Sequence, residues 1–481
     1  MSFCLLSLNF LYILCPLILL IGLIFINKKN NWHTLSTDYL YKPTRLFFCS
    51  IILLASIYNC FTPYNYYFNE YYIFDRLILL ILGISFIWLP WLIPILILTC
   101  ILWIRQQFVP LGYCSVLDKR LFYEIPLIFL AYLCVPKKIS ISLKYVWIVV
   151  FSLFASNYFV SGLGKLQIGP ELHSWITDNN LFVHFIFSHQ FGWLNFMNNK
   201  NIELITLFLS KYEVILCFFT VITELGAVLI GAFFKTAVLI LSLLLIFHLG
   251  VFIESGIFFW KWVYVILLFL MVLFKYKSEF KFHFFSYFTF TAIAMFCIIS
   301  KKVFNPVELS WWDAKYNVRF EYFVNTSLEN TRQISGHFFA PYEQYFTFQR
   351  LYGLVPNEIM LPAIPFSDYL KYKELQCITP DKCRNWRNNN KQPTYDAKEV
   401  EVLREFIITY FRNYNQHKSK NLLSKIPWAP HLWKDKFAFK KCPYIENVKE
   451  FSVVFVEESI SGLKANETFR KVVFAQPIPT D

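Results

Sequence analysis

The sequence predicts a polytopic α-helical membrane protein that carries a C-terminal soluble α+β domain with an antiparallel sheet. Three observations support this prediction. Hydrophobic residues make up 57% of the 481-residue chain and aromatic residues 20%, whereas charged residues make up only 16%. Soluble globular domains contain about a quarter charged residues. Apolar segments long enough to span a bilayer recur up to residue 300, and none follows in the polar tail.

The net charge of +13 does not require a nucleic-acid partner. Lysine and arginine gather in short loops and in the last third of the chain, and positive charge of this kind is typical of the cytoplasmic loops of membrane proteins. The lipid bilayer is therefore the expected environment. Cys377, Cys383 and Cys442 lie in the polar tail, where they allow one disulfide if the tail is extracytoplasmic and leave one thiol over.

The first predicted domain, residues 1–35, is an N-terminal transmembrane helix. Its apolar segment at residues 3–26 has no basic stretch before it and no small-residue cleavage site after it, so we interpret it as a retained helix and not as a signal peptide. Basic residues between 28 and 45 favour a cytoplasmic loop, which puts the N-terminus outside. After the next span, at residues 46–62, the tyrosine-rich residues 64–72 are typical of an interfacial belt.

The second predicted domain, residues 36–300, contains the remaining spans. Pro90 and Pro94 make residues 77–104 either one kinked helix or two short half-spans, and the ambiguity around residues 77–120 leaves a total of about eight to ten transmembrane helices. The other predicted spans lie at residues 121–135, 145–163, 211–230, 233–253, 257–274 and 284–299.

The third predicted domain, residues 301–481, is soluble. Polar and apolar residues alternate across residues 315–324, which indicates a half-buried strand, and residues 453–456 and 472–474 are further strand candidates. Apolar residues at helical spacing predict an amphipathic helix at residues 397–415. Because the basic loop before the last span favours the cytoplasm, this domain is expected on the extracytoplasmic side.

Ionisable residues inside apolar spans are the main candidates for a functional site, because charge at membrane depth is costly. Lys165 ends one apolar segment, and Tyr158 and Gly162 share its helix face, with glycine allowing a neighbour to come close. Glu224 and His248 lie in two later spans. In the alternative interpretation Lys165 extends its ammonium group to the membrane interface, and the other two only hold helices together.

Other polar residues are less specific. Glu213 precedes Glu224 by about three helical turns and therefore points the same way. Trp175 lies in an amphipathic stretch at residues 169–196 that is typical of a re-entrant or interfacial segment. The chain has no HExxH or CxxC motif, and its histidines lack the spacing of a shared ligand face, so no metal site is predicted.

Three blocks of residues carry a resemblance to a known family. They are residues 158–166 (YFVSGLGKL) with a tryptophan at 175, residues 223–225 (TEL) and residues 247–250 (FHLG). In order and separation they resemble the membrane domain shared by vitamin K-dependent gamma-carboxylases and their bacterial relatives, the horizontally transferred transmembrane (HTTM) family. The resemblance covers residues 40–275. A β-rich domain after the membrane part is also similar to the carboxylase layout.

The resemblance implies an integral-membrane, carboxylase-type lyase that uses a reduced quinone, with oxygen and carbon dioxide as co-substrates and a secreted peptide or protein as substrate. In that family the lysine of the first block is regarded as the base that deprotonates vitamin K hydroquinone. Oxygen addition then creates a stronger base, which removes a γ-proton from a substrate glutamate. Lys165 would carry the first role, and the pocket would be lined by Tyr158, Gly162, Trp175, Glu224 and His248.

One element of the family pattern is missing. The carboxylases have an asparagine-histidine pair before a serine-tyrosine-leucine run upstream of the lysine, and residues 41–146 contain no such element. The alternative function is a non-enzymatic membrane module that presents an extracytoplasmic partner-binding domain. Transport is a third alternative, weakened because the chain lacks paired broken helices in two matching halves.

Overall fold

The structure is a computed structural model. It describes residues 64–70, 73–85, 109–112, 124–133, 143–190, 197–231, 233–275, 284–300, 315–327, 330–339, 341–347, 351–354, 396–417, 447–461 and 464–479, with residues 44, 46, 47, 50, 51, 194 and 445. The predicted N-terminal helix, most of the predicted span at residues 46–62, the two prolines at 90 and 94 and the three tail cysteines lie outside these residues.

The first part of the chain is helical. Its helices are α1 (Ile73–Ser85), α2 (Ile125–Leu133), α3 (Leu143–Gln167), α4 (Ser174–Asp178), α5 (Leu181–Gln190), α6 (Asn199–Gly226), α7 (Phe234–Ser255), α8 (Trp260–Lys275) and α9 (Phe284–Ile299). A 3₁₀ turn, Ala227–Gly231, joins α6 to α7. The stretch predicted to be re-entrant or interfacial forms α4 and α5, and α5 contacts α6, α7 and one strand of the C-terminal sheet.

Among the residues that the structure describes, three segments are long and apolar enough to cross a membrane: Tyr145–Gln167, Lys200–Ile230 and Phe234–Ser255. The first is 78% buried within the protein, against 33% for each of the others, so α3 is the central helix. The outer faces of α6 and α7 carry exposed large apolar side chains such as Phe219 and Ile246. Surfaces of this kind are suited to contact with lipid.

Aromatic rings connect α3 to α8 within the hydrophobic core. Trp147, Phe151 and Phe154 of α3 pack against Phe269 of α8 with ring centroids 4.9 to 6.4 Å apart. The indole nitrogen of Trp147 donates a hydrogen bond to Thr44 Oγ1 at 3.1 Å, so this buried polar atom has a partner. Large interlocking rings hold α3 and α8 in one arrangement, and this fixes where the end of α3 lies.

The C-terminal part is an antiparallel sheet with helices packed on one face. The strands are β1 (Tyr316–Thr326), β2 (Thr331–Ile334), β3 (Val448–Ser461) and β4 (Lys464–Pro477), in the order β2-β1-β3-β4. The helices are α10 (Glu343–Thr347) and α11 (Ala397–His417), and 3₁₀ turns occur at Gly336–Phe339 and Tyr352–Leu354. The predicted antiparallel sheet and the predicted amphipathic helix are confirmed.

The tyrosine-rich turn before α1 belongs to the C-terminal core. Tyr64 and Tyr66 are each 3% exposed and pack with the aromatic side chains of α11. The side-chain amide of Asn413 in α11 donates to the carbonyl oxygen of Tyr66 at 2.7 Å. The interpretation of these tyrosines as an interfacial belt is therefore wrong, because a composition suited to the membrane interface is equally suited to an aromatic protein core.

Candidate functional site

Lys165 and Glu224 form a buried ion pair. The ammonium nitrogen of Lys165, in the last turn of α3, lies 2.8 Å from Oε1 and 2.7 Å from Oε2 of Glu224, in the last turn of α6. The two residues are 2% and 3% exposed. Lys165 therefore keeps its ammonium group inside the protein, whereas the alternative interpretation expects this group at the membrane interface. Charges removed from water in this way are retained only with a close partner.

Trp175 adds a third contact to the ammonium group. Its ring, from α4, lies with its centroid 5.2 Å from Lys165 Nζ and is 1% exposed. A cation over an indole face is attracted by the negative potential of the ring, and the attraction is strongest where water is excluded. The ammonium group is thus held by a carboxylate from one helix and an aromatic face from another.

Gly162 allows α3 and α6 to approach each other closely at this point. A Cβ atom at Gly162 would lie 3.1 Å from Glu224 Cβ and 3.1 Å from Leu225 Cγ. Both distances are shorter than ordinary carbon contacts, so a larger residue would push the helices apart. The prediction that Gly162 lets a neighbouring helix come close agrees with this packing.

Tyr158 and His248 form a second buried pair. The Tyr158 hydroxyl oxygen lies 2.6 Å from His248 Nε2, and the residues are 6% and 5% exposed. The His248 ring is surrounded by Phe259 at 5.6 Å and by Trp262, stacked at 6.4 Å between centroids. Within the part of the chain that the structure describes, His248 Nδ1 is buried and has no hydrogen-bond partner.

The two pairs lie along one face of α3. Tyr158 and Lys165 are seven residues apart, which is about two helical turns. From the sequence, either His248 or Lys165 is a possible partner of Glu224. In the structure Glu224 pairs with Lys165, and His248 forms a hydrogen bond with Tyr158.

Other polar residues lie apart from the site or are satisfied locally. Glu213 is eleven residues before Glu224 on α6, about 16 Å along the helix axis. Ser161 donates its hydroxyl hydrogen to the Asn157 carbonyl oxygen at 2.7 Å, within its own helix. Lys261, at the start of α8, is also buried, at 3% exposure, and was not among the predicted site residues. Its neighbours Trp260 and Trp262 were the available signal, because tryptophan is highly buried on average.

No cluster of three or more histidine, cysteine, aspartate or glutamate residues that could hold a metal ion occurs among the described residues. Within these residues, the candidate site consists of one ion pair, one hydrogen-bonded pair and the aromatic side chains around them. Comparison of the chain with models of known families, with curated proteins and with solved structures found no match.

Proposed function

We propose that this chain is a multi-pass integral membrane enzyme in which Lys165 acts as the base toward a weakly acidic, apolar substrate. The observation that carries the proposal is the buried Lys165–Glu224 pair. An ammonium group cannot accept a proton, so a lysine base needs a neighbour that takes its proton first. Glu224 is that neighbour, at hydrogen-bond distance from the nitrogen.

Proton transfer within the pair creates no net charge. When one proton passes from Lys165 Nζ to a Glu224 carboxylate oxygen, a cation and an anion become a neutral amine and a neutral acid. In an apolar core the desolvation of two charges opposes the ion pair, so the neutral arrangement is energetically accessible. The free amine then takes a hydroxyl proton from the substrate. The products are an ammonium group and a substrate oxyanion beside it, so the total charge is unchanged.

The substrate and later chemistry follow from the family resemblance. It points to a reduced quinone as the weak acid and to carboxylase-type lyase chemistry, with oxygen and carbon dioxide as co-substrates. The final substrate would be a secreted peptide or protein. Because both charged side chains are almost fully buried, the substrate must displace side chains or separate α3 from α6 to reach the nitrogen.

Charge distribution supports an extracytoplasmic C-terminal domain. The basic segment between residues 28 and 45 favours the cytoplasm, and one predicted span later the chain reaches residues 64–70. These residues pack into the core of the C-terminal domain. The basic loop before α9 also favours the cytoplasm, one span before the same domain. Two separate charge signals therefore support an extracytoplasmic position for this domain.

The test is turnover by the full chain in lipid nanodiscs, supplied with vitamin K hydroquinone, oxygen, labelled bicarbonate and a glutamate-containing peptide. We expect oxidation of the hydroquinone and incorporation of label in the wild type, and neither in Lys165→Met. The variant Lys165→Met/Glu224→Leu removes both charges and should remain folded but inactive. Lys211→Met, which removes a lysine of α6 outside the site, should keep full activity. Activity in either Lys165 variant, or none in the wild type, would overturn the proposal.

The second candidate is a non-enzymatic membrane module with a partner-binding C-terminal domain. It is favoured by one observation: each polar pair joins α3 to a different helix, α6 in one case and α7 in the other. If the chain is such a module, the folded variant Lys165→Met/Glu224→Leu should behave like the wild type. If the chain is an enzyme, the same variant should lose turnover.

A further inference from the structure

The short helix α4 covers one side of the Lys165–Glu224 ion pair. Within α4, Ser174 and Trp175 are the buried residues, and the Trp175 ring centroid lies 5.2 Å from Lys165 Nζ. The chain just before α4 lies at the surface, where Leu172 is 72% exposed. Trp175 therefore extends inward from a surface segment and ends against the buried ammonium group.

Both ends of the segment that carries α4 are irregular backbone. Gly169, two residues after the end of α3, has a φ of 92°, a left-handed conformation that glycine adopts without strain. Asn179, directly after α4, is extended, with φ −75° and ψ 138°. A few residues at the ends of an element are enough to absorb the dihedral changes of a lid movement. Residues 169–178 therefore have the layout of a lid between two short hinges.

The other route to Lys165, a separation of α3 from α6, disrupts tighter packing. At Gly162 the two helices approach so closely that a Cβ atom would lie 3.1 Å from Glu224 Cβ and 3.1 Å from Leu225 Cγ. A gap of about 1 Å between such surfaces already forfeits up to half of each dispersion contact. Movement of α4 instead withdraws the Trp175 ring from a small apolar cluster and leaves α3 and α6 in place. It is therefore the less costly route.

We infer that residues 169–178 form a lid over the Lys165–Glu224 pair, and that the substrate reaches Lys165 when the lid lifts and Trp175 leaves the ammonium group. This inference rests on the proposed function of Lys165 and adds the entrance through which the substrate arrives. The lid directly follows the apolar segment Tyr145–Gln167, so the entrance lies at one end of a candidate membrane span. In the closed state the Trp175 ring keeps water away from the ion pair.

The variant Asn179→Cys permits a disulfide that locks the lid. The side-chain nitrogen of Asn179 lies 3.9 Å from Sγ of Cys217 in α6, so a sulfur at position 179 comes within reach of the native thiol. The full-chain variant in lipid nanodiscs is compared in its oxidised and reduced forms, after the oxidant or reductant has been removed. Peptide mass spectrometry verifies the bond.

Access to Lys165 is measured as its rate of acetylation by N-succinimidyl acetate, a reaction that needs no substrate. We expect Lys165 in the oxidised variant to react about tenfold more slowly than in the reduced variant, because only the open state reacts. The wild type treated with the same oxidant should keep its rate. Equal rates in the oxidised and reduced variant overturn the lid.

Trp175→Ala removes the part of the lid that touches the ammonium group, and it remains informative if the disulfide does not form. We expect Lys165 in this variant to be acetylated about tenfold faster than in the wild type. An unchanged rate overturns the lid. Lys261, which is 3% exposed on α8, is the internal control for the fold, and its slow acetylation should be the same in every chain. If it accelerates in Trp175→Ala, then Trp175→Leu, which keeps the position apolar, takes its place.

Turnover of vitamin K hydroquinone is measured on the same samples, so that the lid and the proposed function are tested separately. Turnover in the oxidised Asn179→Cys variant at the rate of the reduced form overturns the lid as the entrance, although the proposed function then holds. Acetylation of Lys165 that depends on the lid, without turnover in any chain, supports the lid and overturns the proposed function.

Discussion

The ammonium nitrogen of Lys165 lies within 2.8 Å of both carboxylate oxygens of Glu224, although α3 and α6 contribute the two residues from positions 59 apart in the sequence. Both side chains are almost completely removed from water, at 3% and 4% exposure. The stability of the helical core therefore depends on the two groups being present together, and this dependence is measurable without knowing the substrate.

Removing one partner of this pair should be far more damaging than removing both. We expect Lys165→Met or Glu224→Leu to lower the free energy of unfolding by about 3 to 5 kcal/mol, because a buried charge is left uncompensated. The double variant should recover most of that loss. Denaturant titration in detergent micelles measures the three values. Glu401→Gln is the control, since its partner Arg404 and Glu401 itself are 45% and 54% exposed, and exposed pairs contribute under about 1 kcal/mol. Single variants no worse than this control would contradict the prediction.

Gly162 and Gly250 offer a matched pair of helical glycines. Gly162→Ala places its methyl group 3.1 Å from Glu224 and Leu225, whereas a Cβ at Gly250 meets nothing within 4 Å. We expect Gly162→Ala to cost about 1 to 3 kcal/mol through overpacking. Gly250→Ala should be neutral or stabilising by up to about 1 kcal/mol, because alanine favours the helix. Thermal unfolding of both variants under one condition is the measurement, and equal effects would show that α3 and α6 are not in close contact there.

The sheet should respond to pH through Glu458. Burial raises the pKa of this carboxyl above 4.5, helped by the nearby charges of Glu321 and Glu467, and the Arg319 guanidinium at 2.8 Å offsets only part of the rise. The folded state therefore holds the proton more tightly than the unfolded state. The stability that this tighter proton binding by Glu458 adds to the folded state is complete below pH 4.5. It is lost as the pH rises through the higher pKa of the folded state.

Glu458→Gln imitates the protonated carboxyl at every pH. In this variant the decline in β3 stability above pH 4.5 should be smaller than in the wild type. Amide hydrogen exchange of β3 peptides, corrected for the intrinsic rate at each pH, measures local stability. Glu401→Gln again controls for the loss of one negative charge. A wild type and a Glu458→Gln variant with the same pH profile would remove Glu458 as the cause.

Two asparagines of α11 bind different parts of the C-terminal domain, one the tyrosine-rich turn at residues 64–70 and the other the start of β3. Asn413 donates to the Tyr66 carbonyl at 2.7 Å, whereas Asn415 bonds both the carbonyl and the amide of Val448 at 2.9 Å. Asn413→Ala should reduce exchange protection about tenfold in residues 64–70. Asn415→Ala should do so at the start of β3. Each variant is the other's control in one exchange experiment, and a loss of protection shared equally by both regions would contradict separate roles.

The sequence by itself determined the elements. Apolar segments specify α3 and α7 close to the predicted spans, and strict alternation specifies β1, because hydrophobic patterning is a local property of the chain. The helix α6 covers most of the span predicted at residues 211–230 but begins earlier, at Asn199. The sequence also determined which side chains share a face, since helix geometry alone aligns Tyr158, Gly162 and Lys165. Whether the helices form the membrane domain of the family that the blocks resemble stays a prediction.

Only the tertiary structure decided which faces meet. Helix geometry could not tell whether Glu224 pairs with His248 or with Lys165. Packing pairs Glu224 with Lys165, 59 positions away, and His248 with Tyr158, 90 positions away. Packing also moved Tyr64 and Tyr66 from an expected membrane interface into the core of the C-terminal domain. The physical reason is the same in each case. The type of a residue predicts that it will be buried or will form a hydrogen bond or ion pair. Which partner it meets depends on how surfaces that are distant in the sequence pack together.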